Sequence, residues 1–103
     1  MEVEFIEQAS IELDDAIEYY NLQLLGLGDQ FFEEVLNTLA LILQYPEIWA
    51  KNTAHTRKAV LKKFPYVLIY TKYKNKVYIL AVAHQHRKPE YWINRLQNFP
   101  QNL

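Results

Sequence analysis

The amino-acid sequence predicts a two-layer α+β domain, in which an N-terminal strand and a helical hairpin pack on a small, mostly antiparallel sheet. Two observations support this prediction. The first half of the chain repeats apolar residues at spacings of three and four, which is typical of amphipathic helices. The second half has two runs of β-branched and aromatic residues, 66–73 and 77–84, and the polar break between them favours a β-hairpin.

Two helices are predicted between the first strand and Pro46. The glycines at 26 and 28 mark the turn between them, and Asp29 is expected to cap the second helix. Pro46 ends that helix, because it pushes Tyr45 out of the α region. The apolar face of the first helix is predicted to contain Ala9, Leu13, Ala16, Ile17, Tyr20 and Leu24. That of the second is predicted to contain Phe32, Val35, Leu36, Leu39, Ile42 and Leu43.

The strand predictions rest on alternation and on apolar content. Residues 3–6 favour a short edge strand, and residues 77–83 are nearly all apolar, which indicates a central strand covered on both faces. Residues 57–64 are predicted to form a basic strand that is partly exposed, because neither of its faces is cleanly apolar. After Pro89, the aromatic and apolar residues between 91 and 99 predict a short C-terminal helix. Trp49, in the connector before the basic strand, is expected under the sheet.

Length and composition indicate a single globular domain spanning residues 1–103, with half of its residues hydrophobic. The absence of cysteine excludes disulfides and thiolate metal sites, and it suits a reducing compartment. No apolar run approaches the roughly 18 residues that span a bilayer, and no signal-peptide pattern begins the chain. We therefore expect a cytoplasmic protein with no membrane partner.

The charges segregate between the two halves of the chain. Residues 1–50 hold eleven acidic residues and no Lys or Arg, whereas residues 51–103 hold all eleven basic residues and one acid, Glu90. The folded domain is therefore expected to have an acidic side and a basic side. Either the two halves pair electrostatically, or the basic side binds a polyanion or an acidic protein segment.

Several enzyme classes are excluded by missing motifs. The chain has no Walker loop, GxGxxG, HExxH or GxSxG motif, and Ser10 is its only serine. His84 and His86 lack a convincing third zinc ligand, so neither a metal nor another cofactor is predicted.

A dense polar cluster at 84–88, directly after the last predicted strand, is the best candidate for chemistry or partner binding. Histidine exchanges protons near neutral pH, and cations stabilise the extra charge of a phosphorane-like transition state. Aromatic side chains such as Tyr91 stack on unpaired bases. The cluster therefore fits metal-free phosphodiester chemistry, although a structural role as a hydrogen-bonded core histidine is favoured for His84.

An ordered series of segments then suggests a family. It comprises residues 9–13, 16–20, 26–28 with Phe31 or Phe32, 45–46, Arg57, 64–66, 69–70, 77–84, Arg87, Pro89, Tyr91, Trp92 and Arg95. With this series, which covers nearly the whole chain, the protein resembles the RelE/ParE superfamily of toxins from bacterial type II toxin–antitoxin modules, often called plasmid stabilisation proteins. The resemblance implies a helical hairpin against a curved antiparallel sheet. It also implies a cognate antitoxin whose tail wraps the toxin and blocks its active surface.

The superfamily contains two kinds of toxin. RelE-like members cleave mRNA in the ribosomal A site, with basic residues on the sheet and a His or Tyr near the C-terminus, whereas ParE-like members lack that set and poison DNA gyrase. The basic strand and the cluster after the last strand favour the first kind. The main hypothesis is therefore a ribosome-dependent endoribonuclease that acts on mRNA, and the alternative is a non-enzymatic toxin that binds gyrase. A third hypothesis is an inert domain whose basic side only binds an acidic antitoxin.

The endoribonuclease hypothesis assigns a role to each candidate residue. His86 would be the general acid or base, Arg87 and Lys62 would stabilise the scissile phosphate, and Tyr91 would stack on or orient a base. The residues expected to bind RNA or a partner protein are Arg57, Lys58, Lys63, His84, Lys88 and Arg95.

Overall fold

A computed structural model describes residues 1–99 of the chain and confirms the α+β fold. Strand β1 (Glu2–Phe5) is followed by helices α1 (Glu7–Gln23) and α2 (Leu27–Gln44). Strands β2 (Arg57–Val60), β3 (Tyr66–Tyr73) and β4 (Lys76–His84) come next, and a 3-10 helix (Ile93–Asn98) ends the described part of the chain. The strand order is β1-β4-β3-β2, with β1 parallel to β4 and the other neighbours antiparallel.

Strand β4 is the centre of the sheet, as its apolar sequence predicted, and both of its faces are buried. One face packs with the helices in a core that includes Leu13, Phe31, Leu39, Leu68, Val77 and Ile79. The opposite face packs under the C-terminal segment in a second core of Val67, Ile69, Leu80, Ala81, Ala83 and Trp92. Within residues 1–99, no helix is both long enough and apolar enough to cross a membrane.

The buried face of α2 differs from the prediction. The helix buries Phe31, Val35, Thr38, Leu39 and Ile42, whereas Phe32 and Leu36 are 40% and 48% exposed. The reason is Gly28, which lies directly against the backbone of α1. Residues three and seven positions after Gly28 share its face of the helix, so this contact selects Phe31 and Val35. In α1, Ala9, Leu13, Ala16 and Tyr20 are buried as predicted and Ile17 is partly buried, but Leu24 lies beyond the helix and is exposed.

The turn between the helices depends on a side chain of α1. Asn21 Oδ1 accepts hydrogen bonds from the N–H groups of Gly26 (3.1 Å) and Gly28 (2.7 Å), so it satisfies donors that the helix start leaves free. Gly26 has a φ of +94°, which favours glycine. Because α2 begins at Leu27, Asp29 lies in the first turn and is not the predicted cap.

Two other predicted elements need correction. The basic strand was predicted over residues 57–64, but β2 ends at Val60. Leu61 still donates to the Tyr66 carbonyl of β3, but the next two N–H groups, of Lys62 and Lys63, donate to the Glu34 carboxylate of α2 and so leave the sheet. The C-terminal helix is a 3-10 helix that starts well after Pro89, because Glu90 adopts a φ of +60° that interrupts a helix.

The connector before β2 is fixed to the sheet by hydrogen bonds to its carbonyl groups. The Tyr70 hydroxyl donates to the Pro46 carbonyl at 2.7 Å, and the Arg57 guanidinium donates to the Trp49 carbonyl at 2.6 Å. Trp49 is partly buried and packs against the core on the helix side of the sheet, as expected. Burial raises the pKa of Tyr70 to about 12.

Replacing Tyr70 with phenylalanine is expected to lower the free energy of unfolding by about 1 kcal/mol, because the Pro46 carbonyl loses its donor while packing is retained. Urea denaturation measures the effect. Tyr45→Phe is the control, since the Tyr45 side chain is half exposed. Equal changes in the two variants would show that the Tyr70 hydroxyl contributes nothing specific.

Candidate functional site

A cleft of about 370 Å³ lies on the sheet face opposite the helices, between β2 and the segment that follows β4. Its floor is apolar and consists of Val60, Val67, Ile69 and Ala83. Lys58, His84, Arg87, Lys88 and Tyr91 also line it. We call this space the basic cleft. It brings together five of the ten residues that were predicted to be catalytic or partner-binding.

The two histidines predicted as a pair are neighbours, but only His84 lines the cleft. Their ring centroids are 5.1 Å apart, and the His86 backbone N–H donates to His84 Nδ1 at 3.0 Å. His84 is half-buried against the Tyr66 ring, whereas His86 is exposed. His86 is therefore accessible to a partner, and His84 mainly supports the turn after β4.

Three of the predicted residues lie elsewhere. Lys62 and Lys63 line a groove beside α2 together with Glu34, and Arg57 lines a depression with Pro46 on the far side of β2. Lys62 and Arg87, which were predicted to stabilise one phosphate, line different cavities that meet at Val60. The cause is the early end of β2, after which the chain turns toward α2.

A residue that the sequence reasoning missed holds the C-terminal segment in place. The Glu12 carboxylate of α1 accepts hydrogen bonds from the Tyr91 hydroxyl (2.6 Å), the Val82 N–H (3.0 Å) and the Arg95 guanidinium (2.9 and 3.0 Å). Arg95 also donates to the Leu80 carbonyl at 2.7 Å. We call Glu12, Tyr91 and Arg95 the carboxylate network. Helical spacing could have indicated it, since Glu12 lies three residues after buried Ala9 and borders the apolar face.

The carboxylate network shifts the ionisation of its members. Burial raises the pKa of Glu12, but the hydrogen bonds from Arg95, Tyr91 and Val82 outweigh burial and leave that pKa below its ordinary value of 4.5. Burial and the bond to Glu12 raise the pKa of Tyr91, so its phenol remains protonated. The Arg87 guanidinium lies over the Tyr91 ring, 3.9 Å from the centroid. Tyr91 and Arg95 are thus occupied by contacts within the fold.

Pairing between the acidic and basic halves is limited. Within residues 1–99, which include all eleven Lys and Arg, two ion pairs form: Lys76 with Glu4 at 2.6 Å, and Arg95 with Glu12 at 2.9 Å. The cations of the basic cleft are not in either pair. The same residues contain no group of three or more His, Asp or Glu that could hold a metal ion. The described residues on this side of the sheet therefore present cations outside these two ion pairs, beside an apolar floor.

Comparison with known proteins identifies the family. Residues 3–89 match the family described as "ParE toxin of type II toxin-antitoxin system, parDE". The chain belongs to this ParE toxin family. A solved structure described as "Chromosomal ParDE TA system from P. aeruginosa" has a TM-score of 0.72 with this chain at 14% identity. The match covers 82% of this chain and 95% of that chain, and it shows a common fold. No curated protein matches the chain.

Membership of the ParE family establishes the protein as a toxin of a type II toxin–antitoxin system, and it implies a cognate antitoxin as partner. The resemblance predicted from the ordered segments is therefore confirmed. The endoribonuclease hypothesis gains no support from the family match, since the match is to ParE toxins.

Proposed function

We propose that this ParE toxin acts without catalysis, by binding DNA gyrase and poisoning it, and that its cognate antitoxin neutralises it. ParE-like members of the superfamily poison gyrase, and the family match supports this alternative over mRNA cleavage. The ribosome and mRNA are accordingly not part of the proposal.

The proposal rests on the positions and contacts of the four residues that the endoribonuclease hypothesis assigns to catalysis. Catalytic groups must be held together around the reacting atoms. Here Lys62 lies outside the basic cleft, and the Tyr91 hydroxyl is bonded to Glu12. His86 and Arg87 are the remaining assigned residues, and one exposed imidazole with one guanidinium supports binding better than phosphodiester cleavage.

Purified toxin is expected to inhibit DNA supercoiling by gyrase, and the His86→Ala variant should inhibit within about twofold of the unaltered protein. A binding toxin does not need the proton transfer that His86 would perform. Relaxation of the same plasmid by a type I topoisomerase is the control for effects on DNA alone. Absence of inhibition, together with cleavage of mRNA in a translating extract that His86→Ala abolishes, would restore the endoribonuclease hypothesis.

A further inference from the structure

We propose that the depression beside Arg57 binds phosphate groups of duplex DNA, so that the toxin contacts the DNA that gyrase holds as well as gyrase itself. This cavity of about 330 Å³ lies between the connector and strands β2 and β3, and we call it the connector pocket. Its basic residues are Lys51, Arg57 and Lys72, together with His55, and none of them lines the basic cleft. The inference rests on the proposed function, because gyrase supplies the DNA.

The charge of the connector pocket is mostly positive. Lys51 and Lys72 are exposed and Arg57 is partly buried, and neither of the two ion pairs within residues 1–99 includes any of the three. Glu47 is the one acid among the described residues that line the pocket. Lys and Arg side chains are the main ligands of nucleic-acid phosphates, because their binding releases the counterions of the polyanion. The lining of the pocket therefore favours a polyanion.

Hydrogen bonds that hold the connector in place also occupy backbone oxygens next to the pocket. The Thr71 hydroxyl donates to the His55 carbonyl at 2.6 Å, and the Arg57 guanidinium donates to the Trp49 carbonyl. A carbonyl oxygen repels an anion less when it already accepts a hydrogen bond. Arg57 makes its bonds to the connector through Nη1, so its position is fixed while Nη2 is left to donate to a phosphate oxygen.

The lining of the connector pocket distinguishes a paired phosphate backbone from other polyanions. Tyr70 is the one Phe, Tyr or Trp among its described residues, and it is 1% exposed. The exposed imidazole of His55 alone does not provide the series of rings on which successive unpaired bases stack. Ala54 is the one exposed apolar residue of the lining, so an acidic protein segment would bury little apolar surface there. Duplex DNA requires neither kind of contact.

The test measures fluorescence anisotropy of a labelled duplex oligonucleotide, titrated with the toxin at low ionic strength. Binding is expected, and the double variant Lys51→Ala, Lys72→Ala should raise the Kd at least about fivefold and lower the slope of log Kd against log salt concentration by about 2. The matched control is Lys58→Ala, Lys88→Ala, which removes two cations from the basic cleft. It should raise the Kd by less than about twofold. Circular dichroism verifies that both variants are folded.

Four results would overturn the proposal. They are no binding of the duplex, equal weakening by the two double variants, tighter binding of single-stranded DNA of the same length, and complete displacement of the duplex by polyglutamate at an equal concentration of charge. Tighter binding of the single strand would indicate that bases are recognised, and displacement by polyglutamate would assign the connector pocket to an acidic protein.

Supercoiling assays separate this inference from the proposed target. Lys51→Ala, Lys72→Ala should require at least about threefold more protein than the unaltered toxin for half-maximal inhibition of gyrase. Unchanged inhibition by this variant, despite its weaker binding to the duplex, would overturn the DNA contact and leave gyrase as the target. Binding of the duplex by unaltered toxin that does not inhibit gyrase would contradict the proposed target alone.

Discussion

Replacement of Glu12 with alanine is expected to lower the free energy of unfolding by about 3 kcal/mol, because it leaves the Arg95 charge in a poorly hydrated position without its carboxylate. The two side chains are 17% and 15% exposed, respectively. The Tyr91 hydroxyl and the Val82 N–H lose their acceptor in the same change. Chemical denaturation measures the loss.

Asp14→Ala provides the control for Glu12→Ala, since Asp14 is an exposed carboxylate on the same helix. It is expected to change stability by no more than about 0.5 kcal/mol. If the two variants were equally stable, the carboxylate network would not be what holds the C-terminal segment on the sheet.

The stabilising effect of Glu12 is also expected to depend on pH. Its folded-state pKa lies below the ordinary value of 4.5, so the folded protein binds a proton less readily than the unfolded chain. The contribution is therefore complete above pH 4.5 and is lost as the pH falls through the lowered pKa. The difference in unfolding free energy between the unaltered protein and Glu12→Gln should shrink over that acidic range. A difference that stays constant there would contradict the assignment.

Replacement of Gly28 with alanine has the second large expected effect, a loss of about 2–3 kcal/mol. A Cβ atom at this position would lie 2.2 Å from the Ile17 carbonyl oxygen and 2.6 Å from Asn21 Cγ. The Ile17 oxygen belongs to the backbone of α1, so the two helices must separate at their connection. That movement also strains the bond from Gly28 N–H to Asn21. Thermal unfolding with a circular dichroism readout measures the change.

Gly26→Ala is the matched comparison for Gly28→Ala, because the two glycines are needed for different reasons. Nothing lies within 4 Å of a Cβ at Gly26, whose φ of +94° is the only source of strain. Its expected loss is about 1 kcal/mol. A greater loss at Gly26 than at Gly28 would mean that backbone conformation, and not the close approach of the helices, determines the turn.

The sequence predicted those elements whose apolar pattern allows one interpretation. The continuous apolar run at 77–83 could only be a central strand, and the structure places it there. In α2 two apolar stripes satisfy helical spacing, one through Phe31 and Val35 and one through Phe32 and Leu36. Spacing alone cannot choose between them. The stripe through Phe31 and Val35 is the buried one, because it shares the helix face of Gly28, which contacts α1. That contact exists only in the folded protein.

The candidate site was predicted only where its residues are close together in the sequence. His84, Arg87 and Lys88 follow one another at the end of β4, so their proximity is local and visible in the sequence. Glu12 and Arg95 are 83 residues apart, and no local pattern pairs them. Lys62 was placed with Arg87 because the alternating residues after Val60 resemble a longer strand. The bond to Glu34 that diverts the chain is likewise a long-range contact.

Because β1 pairs with β4, the sheet joins two segments that are translated at different times. Val3 pairs with Val77, so the first strand leaves the ribosome well before its partner has been translated. The contacts between α1 and α2 are local, and we expect that hairpin to form early on the nascent chain. The sheet can close only when β4 has emerged, and the carboxylate network only after Arg95. Until Arg95 has emerged, a nascent chain therefore has no complete carboxylate network to hold Tyr91, and the basic cleft that Tyr91 lines is incomplete.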